Sequence, residues 1–337
     1  MESLEQIPRA DAGGGGVLFQ RPSPSSYFCL LDEQPTFLVP PRLLRNHFQS
    51  ATRALVVNPL CWFSRDGSPP PQVAPWLSSL ADAFPQAESV WVSNSATGSI
   101  APFWLGPGLS DLLARAQPGQ PAPARLDARQ QEILRRARIL IGDGDAARER
   151  EEWVSTVEHG RRQFARGYLP LAGLVHPYHL GALRRYFRHH IRKGNFALGD
   201  NQSGRRYVAH NENVARFFHH QLAATISQMA GEVVKPSYVY FASYQDGAVL
   251  EKHTDRQQCE FSITFCLDYT PEPAGATGWP IRLEAKSGRV TVHQAIGDAL
   301  LYRGCQVPHF RKPLPPGATS TSFFFHYVRA DFAGPLD

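Results

Sequence analysis

Three residues of this 337-residue chain have the types and spacing for redox chemistry at a metal: His253, Asp255 and His309. A chain of this composition carries about one His-x-Asp triplet by chance, so the triplet needs its context. It closes a run, 249–254, that reads as a strand. The period of two then puts His253 and Asp255 on one face. His309 follows 54 residues after Asp255, on a second strand-like run at 307–311. Two neutral imidazoles and one carboxylate form a facial ligand set suited to Fe(II), with three adjacent positions left for a bidentate co-substrate and dioxygen. The five cysteines include no C-x-x-C pair and are too scattered to compete as ligands.

These residues need a β scaffold, and after Pro236 the hydrophobic period changes to two. Strand-like runs occupy 238–244, 249–254, 260–267, 280–284, 290–293, 299–302, 307–311 and 319–328, with turn pairs such as Asp246-Gly247, Ser287-Gly288 and Gly297-Asp298 between them. Eight short strands in so little chain predict a sandwich or barrel, most simply a double-stranded jelly roll. Upstream, helical spacing covers 129–140, 146–166, 180–190 and 213–229, the last with Val214, Phe217, Phe218, Leu222 and Ile226 on its apolar side. Before these, 37–39 and 89–93 read as strands, 75–84 as a helix and 118–123 as a linker-like break. The expected class is α+β. A flexible lead (1–26) precedes a small α+β domain (27–145) with no catalytic constellation, and a jelly-roll domain flanked by helices follows (146–337).

The order Tyr244-x-x-Gly247, His253-x-Asp255, Gly297-Asp298-Ala299 and His309, with the run 167–174 leading into a helix, resembles the Fe(II)/2-oxoglutarate-dependent dioxygenases. The likeness is greatest to their prolyl-hydroxylase-like branch and covers about residues 165–330. It implies a double-stranded β-helix, Fe(II) on His253, Asp255 and His309, and 2-oxoglutarate as co-substrate. It also implies hydroxylation of an unactivated C–H of a peptide, amino acid or natural product, with release of succinate and carbon dioxide. That branch carries Arg or Lys about ten residues after the distal His, and here Ala318, Thr319, Ser320, Thr321 and Ser322 stand instead. Arg311 is the substitute: two residues past His309, it shares that face on a continuing strand, and its planar fork suits a carboxylate. Arg256 and Arg282 compete for the same role, and Tyr244 matches a tyrosine that lines the co-substrate pocket. The rival function is a catalytically inactive dioxygenase-like scaffold. The missing cation on the last strand supports it, and the intact ligand set, costly to bury without a metal, opposes it. A carboxylate ligand also argues against halogenation, which needs that position for halide.

Composition bounds the remainder. At 42% hydrophobic and 19% charged, the chain can bury a core, and 28 prolines with 27 glycines favour a loop-rich protein. No run of 18 apolar residues predicts a membrane span. The polar, glycine-rich start is unlike a signal peptide, and the odd, scattered cysteines fit a reducing, cytoplasmic setting. Residues 129–206 hold 16 Lys and Arg against 8 Asp and Glu. Solvated helix faces explain this more simply than nucleic acid, since basic–aromatic interleaving is missing. The extra N-terminal portion and the basic stretch lean the expected substrate towards a peptide or carrier-bound molecule, although such a domain could serve only for homodimerisation. His189, His190, His219, His220 and His326 read as packing residues and Asp298 as a turn. Glu260 is a candidate to orient a ligand or Arg256, 205–212 a candidate border of the substrate entrance, and Asn211 a helix cap.

Overall fold

A computed structural model of the protein describes residues 54–65, 69–76, 88–175 and 177–337, with the backbone of three short strands, β1 (Ile7–Arg9), β2 (Val17–Phe19) and β3 (Cys29–Leu31). The strand expected at 37–39, most of the lead 1–26 and most of the helix expected at 75–84 lie outside the described residues. The chain divides into two compact units. One comprises Met1–Ser23, Val154–Leu174 and Arg184–Asp337, the other Pro24–Trp153 and Val175–Leu183. The boundary read at 145/146 therefore falls inside the second unit. Asp145 opens a continuous helix there, and its carboxylate accepts from Gly142 N at the end of the preceding strand (2.7 Å).

The unit built on Pro24–Trp153 holds β4 (Leu55–Val57), β5 (Cys61–Ser64), β6 (Ser89–Ser93) and β7 (Ile100–Leu105). It also holds helices α1 (Pro107–Leu113) and α2 (Ala128–Arg136), and β8 (Leu140–Gly142). Its sheet order is β3-β7-β6-β5, and β4 pairs separately with β8. Val57, Val90, Phe103, Leu109, Leu134 and Ile139 belong to its apolar core. The helix expected over 129–140 stops early because Arg138 takes φ +60°, a conformation helices do not contain, and the chain turns into β8.

Helices α3 (Asp145–Phe164) and α4 (Pro177–Arg192) contribute residues to both units. Beyond them lie β9 (Tyr168–Leu171), β10 (Ala197–Leu198), β11 (Arg206–His210) and helix α5 (Asn213–Ala230). Then follow β12 (Val234–Tyr244), β13 (Leu250–His253), β14 (Phe261–Thr270), β15 (Ile281–Ala285), β16 (Gly288–Val292), β17 (Ala299–Tyr302), β18 (His309–Arg311) and β19 (Thr319–Arg329). They form two antiparallel sheets: a seven-stranded one, β10-β11-β12-β19-β14-β17-β9, and a four-stranded one, β13-β18-β15-β16.

Alternation along the strands gives the large sheet two different faces. Phe241, Phe323 and Phe325 point outward: Phe187 of α4 meets Phe241 and Phe323 at 4.7 and 4.9 Å, and His219 of α5 stacks on Phe325. The inner face meets the small sheet, where Leu300 and Tyr302 pack with Ile281, Leu283 and Val292. All eight expected strands occur with small shifts at their ends. β10 and β11 were not expected, because the polar, basic stretch around Arg205 and Arg206 carries no period-two signal. α5 is capped by the Glu212 carboxylate, which accepts from Ala215 N (2.9 Å), and not by Asn211. Asn211 instead sits at φ +51° and accepts from Val239 N. Among the described residues no helix is long and apolar enough to cross a membrane.

Candidate active site

Strand register assembles the site. In the small sheet His253 of β13 pairs directly with His309 of β18, and their rings lie 4.4 Å apart. In the large sheet one row of neighbours, His326–Ser262–Tyr302, crosses β19, β14 and β17. Asp255, two residues past His253, sits between these rows. His253 and His309 Nε2 lie 3.6 and 3.5 Å from the same oxygen, Asp255 Oδ1. The potential ligand atoms of the three residues all lie within 4.8 Å of one another.

Each imidazole is held in the tautomer a metal requires. His253 Nδ1 donates to Glu251 O (2.7 Å) and His309 Nδ1 to Val307 O (3.0 Å). A carbonyl only accepts, so Nδ1 carries the proton and the Nε2 lone pair faces Asp255. The Asp255 carboxylate beside its ring raises the His253 pKa, whereas burial lowers that of His309. Burial would raise Asp255, but its bonds and charges, led by the contact with His253, hold it well below the usual carboxylate range.

The second Asp255 oxygen is occupied as well. Ser262 Oγ donates to Oδ2 (2.7 Å), which uses the only hydroxyl proton, so His326 Nδ1 donates to Ser262 Oγ (2.9 Å). Burial pushes His326 down to about 4, so it stays neutral at physiological pH. Asp255 N donates to Gly304 O (2.9 Å). A Cβ at Gly304 would lie 2.4 Å from Asp255 Oδ2 and 2.5 Å from Ser262 Oγ, so this position excludes any side chain. Cys259 also approaches Asp255 and His326. Its thiol contacts the Tyr238 hydroxyl (3.1 Å) and burial pushes it up to about 12, so it remains protonated and is a poor ligand.

One strand step beyond His309, Arg311 is 4% exposed. Its guanidinium donates to Trp279 O and to Gln294 Oε1 (2.9 Å) and lies 4.8 Å from the Trp279 ring centroid. Gln294 cannot turn away, because its amide donates to Thr264 O and Asp298 O. These contacts use two of the five N–H donors that an arginine owns. Among the described residues no carboxylate lies within ion-pair distance of Arg311. On the same inner face Thr264 Oγ1 is buried with no hydrogen-bond partner. A deeply buried cation without a counter-charge and an orphaned hydroxyl are what a pocket for an anionic, oxygen-rich ligand requires.

The other sequence candidates separate. Tyr244 is 1% exposed against Trp279 (4.8 Å), and its hydroxyl accepts from Arg206 (2.8 Å). Arg256 is exposed, donates to the Tyr238 hydroxyl (2.9 Å) and lies over that ring. Arg282 alternates with buried Ile281 and Leu283 and so takes the opposite face from His309 and Arg311. Glu260 orients neither a ligand nor Arg256, and pairs with Arg329 (3.0 Å). Within the stretch 205–212, Arg206 is buried and paired with Asp200, whose carboxylate also accepts from the Tyr240 hydroxyl. Ser262, Thr264, Gln294, Gly304 and His326 were not singled out from sequence for the site. Only cross-strand register shows them, except that Ser262 and Thr264 are polar interruptions of an apolar strand.

No protein-family model matches the chain, and no curated protein matches it in sequence. Among solved structures the chain is similar to the non-heme α-ketoglutarate-dependent epimerase SnoN from nogalamycin biosynthesis, with 14% identity over 52% of this chain and 84% of that one and a TM-score of 0.44. It is similar to a Pseudomonas putida prolyl-4-hydroxylase at 18% identity over 51% and 98% of the two chains, with a TM-score of 0.42. A third is HygX from Streptomyces hygroscopicus with nickel and 2-oxoglutarate bound, at 12% identity over 52% and 87%, with a TM-score of 0.41.

Proposed function

We propose that the protein is an Fe(II)- and 2-oxoglutarate-dependent oxygenase built on a double-stranded β-helix formed by its two sheets. It hydroxylates an unactivated C–H of a peptide, amino acid or natural product and releases succinate and carbon dioxide. The observation that carries this reading is the convergence of two Nε2 lone pairs and one carboxylate oxygen beside a buried, carboxylate-free arginine. The donor set fits a six-coordinate Fe(II) with an open face, and Arg311 with Thr264 fits a dicarboxylate.

His253, Asp255 and His309 would hold the iron, and Arg311 would pair with the far carboxylate of 2-oxoglutarate. Trp279 packs on the Arg311 guanidinium and Tyr244 packs on Trp279, and this burial keeps water from the cation, which strengthens that pairing. Gln294 fixes the fork of Arg311, so little order is lost when the ligand arrives. Iron and 2-oxoglutarate together supply the dioxygen activation that side chains lack.

The test is anaerobic addition of Fe(II) and then 2-oxoglutarate, with Asp255→Ala as control. A weak visible charge-transfer band that vanishes in the control supports the reading; iron binding with no band overturns the co-substrate assignment. The inactive-scaffold reading has one observation in its favour, the lack of a cation over 318–322. It predicts that no such band forms and that no succinate is made from 2-oxoglutarate.

A further inference from the structure

We infer that Ser262 and His326 are positioning residues that clamp Asp255 so that it offers the metal a single oxygen. The inference rests on the reading that His253, Asp255 and His309 hold a divalent metal. Both imidazole Nε2 atoms face Oδ1, and Ser262 Oγ holds Oδ2 at 2.7 Å. Ser262 has one proton, and that proton is committed to Oδ2. His326 Nδ1 donates into the serine oxygen at 2.9 Å and fixes the direction of the chain, His326 to Ser262 to Asp255.

The clamp has a rigid back. Ser262 is fully buried and His326 is 6% exposed, neighbours across β14 and β19. The His326 ring packs against Tyr238 (4.6 Å), and its own carbonyl accepts from His219 Nε2 (2.6 Å). On the other side Gly304 approaches so closely that a Cβ there would overlap Oδ2. Serine and glycine thus close on one oxygen from two directions. A carboxylate free to rotate could chelate the metal with both oxygens and take a position that a bidentate co-substrate needs. Clamped through Oδ2, it takes one position only. Two polar side chains in the middle of buried strands are costly unless they are used, and this use accounts for both.

The experiment uses the full chain with Co(II) alone as probe, read by anaerobic titration and by the d–d absorption of the bound ion. Ser262→Ala is expected to weaken Co(II) binding by roughly 10- to 100-fold, the range for outer hydrogen bonds to metal ligands, and to shift the d–d bands. Ser262→Thr, which keeps the hydroxyl, is expected to restore both. His326→Phe is expected to act in the same direction and less strongly. Wild-type affinity and spectrum in both Ser262→Ala and His326→Phe would overturn the inference. If Ser262→Ala is recovered unfolded, His326→Phe decides by the same criterion. Failure of the underlying reading looks different: the wild-type chain would take up no Co(II), or Asp255→Ala would bind it equally well.

Discussion

The two units bury polar groups for different purposes. In the unit around Pro24–Trp153 three of the buried polar side chains close chain ends. Asn58 donates to Arg138 O (2.8 Å), Asp145 accepts from Gly142 N, and Gln130 answers Asp127 in a capping box. Each bonds backbone at a turn or helix start, with Asp145 also pairing with Arg148 (2.7 Å), and the core between them is apolar. In the other unit Ser262, Thr264, His309, Arg311 and His326 lie buried on strands, and the partners of Ser262, Arg311 and His326 include other side chains. Mid-strand positions have their backbone groups satisfied by the ladder, so polar side chains there add nothing to local structure and cost desolvation. In these examples the polar groups that close turns and helix starts shape the fold, and those that bond one another across strands gather at the candidate site.

That contrast breaks first at Asp255. Asp255→Ala is expected to lose metal binding by more than the roughly 10- to 100-fold caused by loss of an outer hydrogen bond, and with it the co-substrate band. Titration with Fe(II) or Co(II) checks this. Retained binding would mean that the two histidines and Cys259 or His326 form the real ligand set.

Arg311 comes next, since it separates pocket from metal. Arg311→Leu is expected to weaken 2-oxoglutarate binding by roughly 30- to 4,000-fold, the range for removing one partner of a buried charge pair, about 2–5 kcal/mol, with metal affinity held. Arg256→Leu is expected to stay within a few-fold of wild type, because Arg256 is exposed over Tyr238. The reverse pattern would move the anchor out of the buried pocket and remove the reason given for burying Arg311.

In the apolar core of the other unit the same logic predicts a stability effect and no ligand effect. Phe103 is fully buried, and Phe103→Ala is expected to cost about 3–5 kcal/mol from lost transfer energy and the cavity left behind. Thermal or denaturant unfolding measures it. Co(II) affinity of the folded fraction is expected to be unchanged; a loss comparable to that in Ser262→Ala would show that the two roles of burial are not separable in this chain.

The contrast also explains what could be read from the residues alone. The small-sheet half of the candidate site could be read as a grouping of residues, because His253 and Asp255 stand two apart on one strand and Arg311 stands two after His309. Short-range period carries that information. The large-sheet half could not. Ser262 meets His326 across 64 residues only because β14 and β19 pair in one particular register, and register is a property of two strands together. Gly304 belongs to the same class, since its lack of a side chain has meaning only once Asp255 Oδ2 is beside it. The strands β10 and β11 were missed for another reason: Arg206 is buried through its ion pair with Asp200, so a core position carries the most polar of side chains.

The smallest effect tests the other side of the comparison. Asp127 is exposed, yet its carboxylate accepts from Gln130 N (2.8 Å) while Gln130 Oε1 accepts from Asp127 N (3.0 Å). This reciprocal pair closes the first turn of α2 and orients Ile133 and Leu134 into the core. Asp127→Ala removes one acceptor and is expected to cost about 1 kcal/mol, while Asp127→Ser, which keeps an acceptor, recovers most of it. A shift of roughly 2–4 °C in melting temperature would report it in a domain of this size. A cost approaching that of Phe103→Ala would mean that the cap does more than satisfy backbone, and polar groups of this unit would then no longer differ in kind from those around Asp255.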